Sequence, residues 1–253
     1  HPDASALVAL GLHALQHRGQ EAAGIVSYDQ KQFHAERRMG LVSEHFTKSN
    51  VIDNLPGDAA VGHVRYSTTG SSKPENLQPL FANLAYGGFA CAHNGNLTNT
   101  RALTQKLVET GSIFQTTSDT EIVLQLVARS KKNKTIDKIK DALSQIQGAY
   151  SLIIMTNKKL IGVKDPFGIR PLVLGKKNSA YVLASETCAL NIIGAQYIRD
   201  IENGEMVVIT KAGLESIKLF PDYKERPCIF ERIYFARPDS VIDGENIKVV
   251  NNK

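Results

Sequence analysis

The chain has 253 residues, 42% of them hydrophobic, and its 30 Lys and Arg against 25 Asp and Glu leave a net charge of +5, enough apolar material for one large domain or two small ones. No stretch approaches the ~18 apolar residues of a membrane helix, and the opening "HPDASALVALG" has no charged n-region of a secretory leader. Cys91, Cys188 and Cys228 are odd in number, far apart and without CxxC spacing, which argues against a structural disulfide or zinc site and makes a reducing cytoplasm the expected setting.

Residues 3–17 read as a helix, with Asp3 as N-cap and Leu7, Leu10 and Ala14 on one face. "AAGIVSYDQKQFHAERR" reads as a hairpin turning at Asp29-Gln30, and residues 59–66 and 84–93 as further strands. Helical stretches follow at 98–109, 119–129 and 135–147. Strands return in "YSLIIMTNKKLIGVKD", "PLVLGKKNSAYVLASE" and "GEMVVITKAGLESIKLF", joined by Asn, Lys or Gly turns. Strands at both ends with helices grouped between them argue for an α+β layered domain over residues 1–225. The pattern changes near Pro221, and residues 226–253 read as a connector leaving that domain.

The excess positive charge gathers in "RSKKNKTIDKIKD", residues 129–141. Without aromatic interleaving or a nucleic-acid module, it reads as a helix end, a solvated loop and the polar face of the next helix. A polyanion-binding module is the lesser alternative; nucleic acid and membrane are not expected partners.

Four polar stretches stand out. In "GHVRYSTTGSSKPENLQP", residues 62–79, a strand delivers Arg65 to a long Ser, Thr, Gly and Pro loop. An Arg at a strand end is commonly a surface charge, but beneath a lid-like loop its guanidinium suits bidentate capture of a carboxylate. In "TTSDTEIVLQ", Ser118 or Asp119 is a good N-cap, and that structural role alone accounts for Asp119. In "GGFACAHNGNLTN", Asn94-Gly95 suits a two-residue hairpin turn. Yet "LTNTRAL" continues as a helix, and a strand-to-helix corner could aim N–H groups and the Asn amide at an oxyanion. In "LQHRGQEAAGI", Arg18-Gly19 joins helix to strand; taken alone, Arg18 reads as a surface residue.

In this order and spacing, "LQHRGQEAAGI", "GHVRYSTTG", "AHNGNL" and "TSDTE" together resemble the glutaminase domain of class II glutamine amidotransferases, members of the N-terminal-nucleophile hydrolases. The resemblance covers nearly the whole chain. Within that class "DPFGIRPLVLG", "ASETCAL" and "RPCIFERIYFARPDS" resemble the amidophosphoribosyltransferases, which commit phosphoribosyl pyrophosphate (PRPP) to purine synthesis. The resemblance implies a four-layer αββα sandwich of antiparallel sheets. It further implies Arg65 on the α-carboxylate of glutamine, Asp119 on its α-ammonium, and a lid hydrogen bond from Thr68. Asn94 and the Gly95 N–H form the oxyanion hole in this reading, and Arg18 organises the nucleophile end.

The chain also departs from that pattern. The family's nucleophile is an N-terminal Cys whose own α-amine, with a pKa near ~7.7–8.0, acts as base, whereas this chain starts at His1. None of the three cysteines substitutes, since Cys91 falls in a strand, Cys188 in a helix start and Cys228 in the connector. No phosphoribosyltransferase domain follows "ARPDS". The full-length family implies Mg with PRPP, a homo-oligomer and, in some members, a 4Fe-4S cluster with a ligand at Cys228; three scattered thiols do not supply a cluster alone. The expectation is a piece lacking segments at both ends, able to bind glutamine but not to hydrolyse it. A nucleophile-free glutamine-binding or scaffold domain, and another class II amidotransferase, are the alternatives.

Overall fold

The computed structural model describes residues 1–47, 49–66, 73–220, 223–242 and 244–247. Thr68 therefore lies outside the described residues. The chain opens with α1 (Ala4–Ala14), a 3-10 turn over Gln16–Arg18, β1 (Ala22–Tyr28) and β2 (Phe33–Met39). Two short helices, α2 (Val42–His45) and α3 (Ser49–Asp53), lead to β3 (Ala59–Arg65), β4 (Leu80–Leu84) and β5 (Gly87–Leu97). The helical block is α4 (Thr100–Glu109), α5 (Thr120–Arg129) and α6 (Thr135–Leu143). Then come β6 (Gly148–Thr156), β7 (Leu160–Lys164), β8 (Val173–Lys177), β9 (Ala180–Ala184), α7 (Thr187–Ile192), β10 (Gln196–Asp200), β11 (Glu205–Thr210) and β12 (Gly213–Lys218). A wide turn at Glu231–Phe235 and a ribbon of β13 (Val241–Ile242) and β14 (Glu245–Asn246) complete the described chain.

Alternation within β5 sets the layers, because successive side chains of a strand point to opposite faces. Phe89 and Cys91 face α5 and α6, packing with Ile122, Val127 and Ile139. Ala90 and Ala92 face the other way and meet Val26 and Val61. The six-stranded sheet β12-β11-β7-β6-β5-β4 thus carries helices on one side and two three-stranded sheets, β2-β1-β3 and β10-β8-β9, on the other. Their outer faces are covered by α1 and α7 through Leu12, Val64, Val173 and Leu190. All pairings are antiparallel. The result is the four-layer αββα sandwich.

Three local expectations change. Asp3 stands at the N-cap of α1, but its side chain makes no cap bond. Leu10 is 47% exposed because α1 turns Ala9, Leu12 and Ala14 inward instead; Gly62 of β3 lets Val8 and Leu12 approach where a Cβ would clash. Most consequential, β5 does not stop at His93 but runs to Leu97, with Asn94 opposite Ser151 and Gly95 opposite Tyr150. Asn94-Gly95 is therefore neither a hairpin turn nor a corner apex.

The segment after Pro227 folds back onto this sandwich. Glu186, fully buried at the start of α7, accepts hydrogen bonds from His17 Nε2 (2.8 Å), Arg18 Nη1 (2.6 Å), Ser240 Oγ (2.6 Å) and the Arg237 N–H (3.0 Å). Burial opposes its ionisation, yet these donors hold its pKa down at about 2. A carboxylate with a depressed folded pKa stabilises above its unfolded value and loses that contribution as pH falls. Glu186 should therefore hold the tail at neutral pH and release it between about 4.5 and 2. Glu186→Ala strands four donors at once and should cost about 3–5 kcal/mol. Urea unfolding at pH 7 measures this loss, and the difference from the parent chain should shrink below pH 4.

Candidate active site

A cavity of about 60 Å³ opens where β5 outruns its neighbour, and Arg18, Arg65, Asn94, Gly95 and Asp119 all line it. Five residues that the sequence places in four separate stretches are thus brought to one site. β4 pairs with β5 only as far as Cys91, so the outer edge of β5 is uncovered from there on. In an antiparallel strand the N–H groups of alternate residues point to the same side. The His93 N–H donates to Gln78 Oε1 (2.7 Å) and the Leu97 N–H to Asp119 Oδ2 (2.9 Å), both on that outer edge. The Gly95 N–H between them consequently points into the cavity. Gly95 has φ +147°, and a Cβ here would lie 2.1 Å from the Ala149 carbonyl oxygen and 2.9 Å from His93 Nε2.

Asp119 occupies the N-cap position of α5, but its side chain makes no cap bond, so the N-cap role expected of it is not what holds it. Its carboxylate instead accepts from Leu97 and lies 3.4 Å from His93 Nδ1. Burial opposes ionisation, but the His93 ring and the Leu97 and Thr120 N–H groups hold its pKa below the usual carboxylate range. Arg65 is 6% exposed and donates from Nη1 to the Asn76 carbonyl oxygen at 3.0 Å. Asn76 in turn bonds Thr117 twice, at 2.9 Å through each end of its amide, tying Arg65 to the turn before Asp119. Gly19 permits the "HRG" turn to lie against Arg65: a Cβ there would come within 2.4 Å of the Arg65 backbone.

Arg18 is buried between two carboxylates, with Nη1 2.6 Å from both Glu186 and Glu231. It is an interior ion-pair residue, not the surface residue its local sequence suggests. Arg170 from the "DPFGIRP" turn pairs with Glu231 at 2.7 Å and stacks on Phe235. The Asp165 carboxylate fixes that turn by accepting the Phe167 and Ile169 N–H groups at 2.9 and 3.1 Å. Arg18 and Arg170 are each paired with a buried glutamate, and Arg65 and Asp119 bring side chains of opposite charge to the same cavity. That complements the zwitterionic end of a free amino acid.

Sequence reasoning missed His63, Gln78, His93, Arg170 and Phe235, all of which line the cavity. His63 carried a signal, since it sits two residues before Arg65 on the same face of a strand. Phe235 carried none, being brought in by the returning tail. Cys91 and Cys188 are buried in separate cores. Burial pushes the Cys91 thiol far up and that of Cys188 to about 11, so neither offers a ready thiolate.

A family profile for the glutamine amidotransferase domain matches residues 63–191, about half of the chain, and the chain belongs to that family. It is similar to the amidophosphoribosyltransferase of Rhizobium etli, at 54% identity over 98% of this chain and 51% of that protein. Among solved structures, the allosteric regulatory enzyme of purine biosynthesis superimposes with a TM-score of 0.94 at 46% identity, over 98% of this chain and 53% of that one. Glutamine PRPP amidotransferase from B. subtilis, complexed with ADP and GMP, gives 0.92 at 45% identity, over 98% and 53%. The chain spans about half the length of these relatives.

Gly95→Ala tests the edge geometry directly. Its Cβ must displace the Ala149 carbonyl, an overpacking that costs about 1–3 kcal/mol. A lowered Tm, with glutamine binding weakened further than the Tm shift explains, is the expected result. Unaltered Tm and binding would show that this edge is looser than described.

Proposed function

We propose that the chain is the glutamine-handling part of an amidophosphoribosyltransferase. Joined to its nucleophile, that part releases ammonia from free glutamine for transfer to PRPP, giving 5-phosphoribosylamine in the first step of purine synthesis. The observation that carries this is the Gly95 N–H, aimed into a cavity between Arg65 and Asp119. Arg65 takes the α-carboxylate and Asp119 the α-ammonium. The side-chain carbonyl lies against Gly95 N–H and the Asn94 amide, which stabilise the oxyanion once a nucleophile adds. Thr68 adds a hydrogen bond from the loop above Arg65.

The resemblance gives the reaction an N-terminal Cys as nucleophile, a place that buried Cys91 and Cys188 do not take. The His1 α-ammonium donates to the Asp58 carbonyl oxygen at 2.8 Å, beside the start of β3. No described strand pairs with the other edge of β3. A strand entering at His1 along that edge would begin beside Arg65, one β3 length away, and bring its first residue to the cavity. A phosphoribosyltransferase domain and Mg-bound PRPP complete the reaction outside these residues, and the whole enzyme is a homo-oligomer. Among the described residues no three His, Cys, Asp or Glu side chains converge on a metal. The residues here do not fit a resident cluster, and half-buried Cys228 is left with at most one thiolate to offer. No helix among the described residues is long and apolar enough to cross a membrane, and the buried free thiols suit a reducing compartment such as the cytoplasm.

Calorimetric titration checks substrate capture. Arg65→Lys keeps the charge but loses the two-donor fork, and Asp119→Asn removes the ammonium's partner. Each should weaken glutamine binding about tenfold to a hundredfold, the worth of one charge-assisted hydrogen bond of about 1.5–3 kcal/mol. Unchanged affinity in both folded variants would sink the assignment.

Turnover needs a chain extended with the family's Cys-Gly start. In that background Asn94→Ala should lower kcat by about 10²–10³ while KM changes much less. A raised KM at constant kcat would mean that Asn94 binds the ground state only. The unextended chain should bind glutamine and release ammonia no faster than a site stripped of its nucleophile.

A further inference from the structure

Arg65 and Asp119 belong to different layers of the sandwich. Arg65 ends β3, whose ladder partner is β1, while Asp119 precedes α5, which packs on the helical side of the six-stranded sheet. No single sheet ladder holds both side chains, so the fold alone does not fix the distance between them. A ligand with its carboxylate and its ammonium on one carbon demands that distance closely. Binding groups need to stand within about 0.5 Å of their productive positions, and a displacement of about 1 Å is already costly.

Asn76 spans the gap. It is fully buried at the end of a 3-10 turn over Pro74–Asn76. Its carbonyl oxygen accepts from Arg65 Nη1 at 3.0 Å, its Oδ1 accepts from the Thr117 N–H at 2.9 Å, and its Nδ2 donates to Thr117 Oγ1 at 2.9 Å. A backbone N–H only donates, so Oδ1 must face it and the amide has one orientation. Two residues on, Gln78 Oε1 accepts the His93 N–H at 2.7 Å, which ties the same segment to the β5 edge. Residues 76–78 therefore touch Arg65, the turn before Asp119, and the strand that carries Gly95.

We propose that Asn76 is a positioning residue that sets the Asp119 carboxylate at the right separation from the Arg65 guanidinium, so that the site grips an α-amino acid at both charged groups and not a plain carboxylate at one. The inference rests on the glutamine reading above and adds to it how two layers of the sandwich are gauged against each other. The two halves of the link are chemically different. Arg65 is held by the backbone carbonyl of residue 76, which any side chain leaves in place, whereas Thr117 is held by the Asn76 amide itself. Removing the amide frees the Asp119 side of the link alone. Asp119 then stays in the site, because the Leu97 N–H still holds its Oδ2 at 2.9 Å, but its aim is lost.

Calorimetry on the 253-residue chain at pH 7 tests this with two ligands, glutamine and glutaramate, the analogue that lacks the α-ammonium. The parent chain should bind glutamine about tenfold or more tightly than glutaramate. Asn76→Ala should erase most of that preference while leaving glutaramate binding within about twofold. A merely structural role would weaken both ligands alike and leave their ratio unchanged. Thr117 is exposed, so Thr117→Val, which loses the hydroxyl but keeps the N–H, is a gentler variant; it should lose part of the preference, and Thr117→Ser should retain it. In an Asp119→Asn background, Asn76→Ala should change the ratio no further, because both substitutions act on one interaction. A parent-like ratio in folded Asn76→Ala overturns the proposal and leaves the site reading standing. If Asn76→Ala does not fold, a parent-like ratio in Thr117→Val overturns it instead. Failure of the parent chain to bind either ligand, or equal binding of the two, removes the proposal together with the reading of Asp119 on which it rests.

Discussion

The early end of β4 governs the chemistry of this molecule. Because β4 leaves β5 at Cys91, the last turnless residues of a central strand keep their outer hydrogen-bonding groups unpaired by sheet. A protein rarely leaves such an edge open, since it invites pairing with any passing strand. Here the edge is consumed residue by residue: a Gln side chain takes the His93 N–H, an Asp takes that of Leu97, and His63 takes the His93 carbonyl. What remains is one backbone donor in a shallow recess, fixed by the rigidity of a sheet instead of a loop. Preorganisation of this kind is what makes a weak N–H effective against developing charge.

Charge around the recess follows a matching logic. The guanidinium groups of Arg18 and Arg170 would repel one another in an apolar wall, and the buried Glu186 and Glu231 make their presence tolerable. Such interior ion pairs contribute little net stability against apolar replacements, but they are costly to break singly. They hold geometry and keep the recess from becoming a general anion trap. Arg65 and Asp119 reach the same recess from separate elements, which the Asn76–Thr117 bridge joins.

Much of this was legible in the residues. The hairpins at "YSLIIMTNKKLIGVKD" and "GEMVVITKAGLESIKLF" and the three-helix block announce themselves through period and turn chemistry, and they form as β6-β7, β11-β12 and α4 to α6. Arg65, Asn94, Gly95 and Asp119 were singled out because their stretches jointly resemble a known site, and the fold brings them to one cavity. The end of β5 was not legible. Asn-Gly is a turn signal wherever φ is positive, and nothing local says that the +147° at Gly95 is accommodated within a strand paired to β6. Nor could Leu10 be placed, because the inward face of α1 is decided by the notch at Gly62 in a strand about fifty residues away. His17 and Arg18 offered no hint of Glu186, whose burial is a product of the tail's return.

That return has a thermodynamic consequence. Phe235 and Arg170 form part of the recess wall, and both depend on a turn whose opposite face shows Phe230, Ile233 and Tyr234 to solvent, each at least 65% exposed. Occupancy of the recess and seating of the tail are therefore linked equilibria. A molecule that touches Phe235 favours the seated tail, and anything that packs on the outer face of the turn changes affinity inside by the same free energy, in either direction. The recess is the meeting point of two segments of chain, and its affinity is a property of their docking as much as of the residues that line it.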